Sequence, residues 1–277
     1  MSNLAARLLT AALLIPFLIL AINWTNPIAV EGIVLAACAI GLREWIAMTQ
    51  PTAPAVDRAF GVAVGTLLFA TLIALGERPM VAPAAAAAAT IAVLVYHLFR
   101  YGAIETVAAR ASFTLAGFLY VALLAFVALL KAREPLHHDG GAWVYVALTI
   151  SWLSDTGAYF AGRFLGPRLP AKLYPSVSPK KTIVGAVGGL CASYGALVIA
   201  KLWYLPGLSW IDTVAIAVPA NLLGQVGDLC ESLVKRSVGV KDSGTLLPGH
   251  GGMLDRVDAL MFVAPYVWAY ARWIYGS

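Results

Sequence analysis

Apolar runs of about twenty residues follow one another from one end of this chain to the other, and no other feature narrows its possible folds so far. A water-soluble core cannot hide them all. Of the 277 residues 61% are apolar and only 12% charged, against about 25% charged in an ordinary soluble domain. The runs are continuous rather than alternating, which predicts helices and not the strands of a barrel. Nine spans are predicted, over residues 4–22, 27–42, 60–75, 81–99, 113–130, 142–160, 182–205, 211–226 and 259–275. The chain is therefore expected to be all-α, a polytopic transmembrane helical bundle of about nine spans. Its first run follows a basic residue, as a signal peptide would. No small-residue cleavage site is evident after it, so it is expected to stay as the first helix.

The basic residues divide unevenly between the two sides that these spans create. Arg7, Arg43, Arg58, Arg100, Arg110, Arg163, Arg168, Lys172, Lys180, Lys181, Lys235, Arg236, Lys241 and Arg256 fall on one side. Arg78, Lys131, Arg133, Lys201 and Arg272 fall on the other. Cytoplasmic loops carry the basic excess, which places the first set and the N-terminus inside, in a multi-pass protein of the cell's inner membrane. The net charge of +5 reads here as a topology signal and an affinity for phosphate groups, with the lipid bilayer and not nucleic acid as the partner. Cys38, Cys191 and Cys230 lie in or beside apolar stretches without a CxxC pair, which predicts neither a disulfide framework nor a zinc site.

Two regions differ in kind. Residues 1–140 are mostly plain hydrocarbon, with an Ala-rich run at 82–89 suited to close helix packing. His137 and His138 beside Asp139 read as a solvated loop, and Glu31, Arg43 and Glu44 as residues near span ends with no assigned role. Residues 141–277 hold the polar groups, with cytoplasmic loops at 161–181 and 235–256. An ionisable side chain in the bilayer core costs about 2.5–3.5 kcal/mol, so it faces protein or a wet cavity. Asp155 lies in SWLSDTGAYFAGR, at the cytoplasmic end of its span. Asn221, Gln225, Asp228, Ser232 and Lys235 recur at steps of four, three, four and three, one face of a helix, with Glu231 at its border. Bonding between helices would account for Asn221 and Gln225, but not for a carboxylate beside Lys235 and Arg236.

After that helix, the glycines of SVGVKDSGTLLPGHGGMLDRVDAL and its Pro248 forbid regular helix through Gly252 and let backbone approach a ligand. Asp255 and Asp258 then share one face at the start of the last span. Capping alone would favour either carboxylate by about 0.3–1 kcal/mol. Asp228, Glu231, Asp255 and Asp258 together, on the ends of the last two helices, predict a shared divalent cation, and oxygen-only ligands suit Mg²⁺. Ser176, Ser178, Lys180, Lys181 and Thr182 lead into another helix N-terminus, a candidate phosphate cradle, although GxxxxGK[ST] is absent. Acids for a metal and bases for phosphates at a membrane surface point to phosphoryl or nucleotidyl transfer.

Ser232-Leu-Val-Lys-Arg, then Lys241-Asp242, then Leu247-Pro-Gly-His-Gly-Gly-Met-Leu-Asp-Arg-Val-Asp258 resembles the signature of the phosphatidate cytidylyltransferases, the CDP-diacylglycerol synthases. SDTGAYFAGR and SPKKT resemble that family's upstream segments, so the likeness covers about residues 151–260. It implies an all-helical membrane homodimer that uses CTP and phosphatidic acid with Mg²⁺ and a second cation, K⁺. A phosphate oxygen of the lipid would attack the α-phosphorus of CTP and release pyrophosphate. By the motif, Asp228 and Asp255 resemble metal ligands with Asp258 and Glu231 in support. Lys235, Arg236, Lys241 and Arg256 would hold phosphates, together with Ser176, Ser178, Lys180 and Lys181. Asn221 and Ser232 would line the substrate site, and His250 sits among its glycines as a base that an anionic phosphate nucleophile does not require. Val184 stands where the family usually carries an acid or amide. A CTP-dependent polyprenol kinase, releasing CDP, and an ion-coupled transporter are the rival readings. The transporter would call for sites near the midplane of paired halves, whereas the polar groups here crowd one half and no repeat is evident.

Overall fold

The computed structural model describes residues 3–132, 139–245 and 251–275. Among these the helices are α1 (Asn3–Asn23), α2 (Ile28–Thr49), α3 (Ala55–Leu75), α4 (Val81–Phe99), α5 (Val107–Ala122), α6 (Ala125–Ala132), α7 (Gly140–Phe164), α8 (Ile183–Trp203), α9 (Trp210–Ser237) and α10 (Leu254–Tyr270). Six stretches are long and apolar enough to cross a membrane: Ile28–Thr49, Ala55–Leu75, Val81–Phe99, Ile104–Ala132, Ile183–Trp203 and Trp210–Ser237. Large apolar side chains such as Leu67, Leu98, Leu119 and Leu202 stand exposed on them, as lipid-facing residues do.

This is an α-helical membrane protein, and with six such stretches among the described residues the expected count of nine spans is not confirmed. Among the described residues of the first helix, Leu14–Asn23 forms a shorter apolar stretch. The seventh helix is diluted by Ser151, Ser154, Asp155 and Thr156, and the last holds 17 residues and opens with Asp255, Arg256 and Asp258. These polar residues are what lower the hydropathy of the two segments. The all-α expectation also missed a small hairpin. Strands β1 (Lys172–Tyr174) and β2 (Ser178–Thr182) pair antiparallel, with Lys172 opposite Thr182 and Tyr174 opposite Ser178. Pro175 and Pro179 bar a helix there, and the turn between the strands buries Val177.

The chain forms two compact units, one of Met1–Leu129 with Asp242–Arg256 and the other of Leu130–Lys241 with Val257–Ser277. In the first, Val34, Cys38, Leu42, Phe69, Phe118 and Val121 form the core, and Trp45 donates from Nε1 to the Phe113 carbonyl at 2.8 Å. In the second, Trp143, Ile150, Leu197, Ile216 and Met261 are fully buried. There α7 and α8 meet backbone to backbone. A Cβ on Gly157 would lie 2.6 Å from the Gly188 carbonyl oxygen, and one on Gly188 would lie 2.2 Å from the Ala161 methyl. Small residues permit such an approach where lipid supplies no hydrophobic force to press helices together.

Candidate active site

The closeness of α7 and α8 brings the end of one helix against the start of the other, and β1 and β2 fold over the same place. Between them, with α9 as the remaining wall, lies a cavity of about 500 Å³, a size typical of small-molecule sites. Asp155, Tyr159 and Arg163 reach it from α7, Lys180 and Lys181 from the hairpin, and Gln225 and Asp228 from α9. It thus joins three cationic side chains to two carboxylates.

Asp228 is the meeting point. Its Oδ2 pairs with the Lys181 ammonium, and Ser232 donates from Oγ to its Oδ1 at 3.4 Å. Lys180 stands exposed at the cavity, whereas Ser176 is exposed in the turn between the strands and Ser178 is half-buried at the start of β2. The start of α8 is less available to an anion than its sequence suggests. Thr182 caps it by accepting the Gly185 N–H at 3.1 Å, and the Ile183 N–H is taken by the Ala171 carbonyl at 3.0 Å. Any phosphate at this end would be held mainly by lysine side chains. Val184, half-buried in the first turn, puts no polar group there.

Helix α9 continues unbroken to Ser237, so the polar stripe does lie on one helix, but its members part ways. Asn221 is fully buried and donates to Ser154 Oγ at 2.7 Å and Ser193 Oγ at 2.9 Å. Its Oδ1 accepts from Gln225 Nε2 at 2.6 Å, and that amide also donates to the Ala186 carbonyl at 3.0 Å. Asn221 ties three helices together and is absent from the cavity wall. Asn221→Ala is expected to lower stability by about 0.6–1.7 kcal/mol, the range for polar bonds between membrane helices. Unfolding in detergent measures this, and a variant as stable as the parent would take Asn221 out of the packing.

Nearer the end of α9, Lys235 is buried and pairs with the fully buried Glu231 at 2.5 Å. Arg236 is exposed and donates from Nη1 to the Val240 carbonyl at 2.8 Å, and Lys241 and Arg256 are also exposed. His250 lies outside the described residues, as do His137 and His138.

Gly227 lets α9 and α10 touch, since a Cβ there would lie 2.8 Å from the Asp258 carbonyl oxygen. The Asp258 carboxylate consequently feels the charges of Asp228, Glu231 and Asp155. Asp255 organises the turn before α10. Its Oδ2 accepts from Ser243 N at 2.9 Å, Ser243 Oγ at 3.0 Å and Gly252 N at 2.8 Å. Among the described residues no group of three or more His, Cys, Asp or Glu side chains is disposed to hold a metal by itself. Mg²⁺ rarely uses such a cage. It keeps waters and binds through one or two carboxylates plus substrate phosphates. An oxygen-only pair, Asp228 and Asp258, with Glu231 and Asp155 near enough to act on the Asp258 carboxyl, fits that mode.

Tyr159 and Arg163 were not singled out from the sequence. Arg163 donates from Nη1 to the Tyr159 hydroxyl at 2.8 Å, and both face the cavity. Asp155, Tyr159 and Arg163 follow each other at steps of four, the same one-face spacing that revealed the stripe on α9, so a signal was present.

The profile of the cytidylyltransferase family matches residues 5–274. A phosphatidate cytidylyltransferase of Brucella suis is 34% identical over 275 residues, covering 98% of this chain and 94% of the relative. One from Bacillus subtilis is 42% identical over 136 residues, 48% of each chain. Another, from Staphylococcus haemolyticus, is 44% identical over 127 residues, 46% of this chain and 48% of the relative.

Proposed function

The chain belongs to the cytidylyltransferase family, and from that premise we propose that it is a phosphatidate cytidylyltransferase. It makes CDP-diacylglycerol and pyrophosphate from CTP and phosphatidic acid, as a homodimer at the cytoplasmic face of the inner membrane. The excess of Lys and Arg on the loops at 161–181 and 235–256 supports that sidedness. The observation that carries the reading is the cavity itself. It offers Arg163, Lys180 and Lys181 to phosphates, opposite a carboxylate at Asp228.

The chemistry needs little from the protein beyond placement. A phosphate oxygen of phosphatidic acid, already anionic, attacks the α-phosphorus of CTP. The bond from that phosphorus to the β-phosphate oxygen breaks, and pyrophosphate leaves with its electron pair. No general base is required for the nucleophile. Lys180, Lys181 and Arg163 counter the charge of the triphosphate and hold it in line, which is the main catalytic device in phosphoryl-type transfer. Asp228 orients the Lys181 ammonium towards the cavity, and Ser232 orients Asp228 in turn. Asp228 and Asp258 are the residues that would hold Mg²⁺, which when bound neutralises charge on the phosphates.

The test is product identity. Purified chain in detergent, given CTP and phosphatidic acid, is expected to release one pyrophosphate for each CDP-diacylglycerol formed. Release of CDP with a phosphorylated lipid would overturn the reading in favour of the polyprenol-kinase alternative. Neither that rival nor ion-coupled transport is favoured by the family match.

A further inference from the structure

Glu44 sits on α2, some two hundred residues before the segment that resembles the family signature. Its carboxylate is buried, and among the described residues the donors that it meets belong to that segment. Oε1 accepts from Met253 N at 2.9 Å, and Oε2 accepts from Leu254 N at 3.0 Å and Ser243 Oγ at 3.1 Å. These amides stand at the very start of α10, where a helix has N–H groups without partners of its own. A local Ser, Thr or Asp usually caps such an end; here a carboxylate from another helix does so, in the position the helix dipole favours.

The glycines around it confirm a fitted seat. A Cβ on Gly244 would lie 2.6 Å from Glu44 Oε1, and one on Gly252 would lie 2.5 Å from Oε2 and 2.2 Å from Ser243 Oγ. Gly251 takes φ +78°, a left-handed conformation that lets the chain turn into the helix. The same turn carries Asp255, whose Oδ2 holds Ser243 and Gly252 from the other side. Ser243 Oγ therefore lies between two carboxylates, and with one hydroxyl proton it serves one of them at a time.

We propose that Glu44 is a positioning residue for the cytidylyl transfer, fixing from α2 the turn from which α10, the helix that carries Asp258, starts. This rests on the activity proposed above. Its effect on the reaction is indirect, through the shape of the turn. A displacement of about 1 Å at a reacting group can cost roughly 100-fold in rate. Glutamine at position 44 keeps the volume but turns one acceptor into a donor facing an N–H.

The experiment uses full-length chain reconstituted in phosphatidic acid-containing vesicles, with Glu44→Gln and Glu44→Asp compared below their unfolding temperatures. Glu44→Gln is expected to lower kcat roughly 10- to 100-fold with KM for CTP nearly unchanged, and Glu44→Asp to recover part of the loss. Amide hydrogen exchange at Met253 and Leu254 should quicken in Glu44→Gln while the middle of α10 keeps its protection. Wild-type kcat, a loss matched by the fraction of unfolded protein, or unchanged exchange would overturn the proposal. Parent protein that makes no CDP-diacylglycerol would overturn the assignment to this reaction, and the exchange measurement would still judge the clamp.

Discussion

Asp228→Asn is expected to reduce turnover roughly 100- to 1,000-fold, about 2.7–4 kcal/mol, the usual cost of losing one electrostatic contact to a reacting group. The substitution changes no volume and removes a charge. That charge now pairs with Lys181, accepts from Ser232, and neighbours Asp258 across the close contact at Gly227. Asparagine can still accept from Ser232, so the helix should stand, and the same fraction of protein should elute as folded in detergent. The Mg²⁺ concentration for half-maximal rate should rise, because one of two carboxylates suited to the ion has gone. Steady-state rates across a Mg²⁺ titration measure both effects. A variant with the parent's rate and the parent's Mg²⁺ requirement would remove Asp228 from the mechanism.

The second large effect is expected at Lys181. Lys181→Met keeps the length of the stem and takes away the ammonium that joins the hairpin to α9. If Lys181 holds substrate phosphate, kcat/KM for CTP should fall roughly 100-fold, and Lys181→Arg should recover much of it. The ion pair with Asp228 is about a quarter exposed on both sides, so its share of fold stability is small, under about 1 kcal/mol. The two contributions can thus be told apart: a loss of rate without a matching loss of stability belongs to the site. A change of threefold or less in kcat/KM would place Lys181 among topology signals and nothing more.

Much of the site was readable because it repeats with the period of a helix. The face formed by Asn221, Gln225, Asp228, Ser232 and Lys235 follows from spacing alone, and the structure carries all five on the single helix α9. Spacing could not say what each one touches. Asn221 and Gln225 turn to Ser154, Ser193 and Ala186, Asp228 turns to Lys181, and Lys235 turns to Glu231. Which neighbour waits opposite each residue depends on where other helices pass, and that is set by glycines far off in the chain, such as Gly157 and Gly188. The hairpin over residues 172–182 was hidden for a related reason. Three- and five-residue strands are too short to show a pattern, and their pairing belongs to both strands together.

What the amino-acid order determined unaided is local or compositional: a chain too apolar for water, helices from continuous runs, carboxylates and lysines gathered in its second half, and a motif specific enough to name a family. These follow from one residue's chemistry and its neighbours a turn away. Glu44 shows what only the folded chain could disclose. On its own helix it is one acid near a span end; in three dimensions it is the cap of α10 and the seat of Ser243. A buried charge needs donors, and no rule of sequence distance says which segment will bring them.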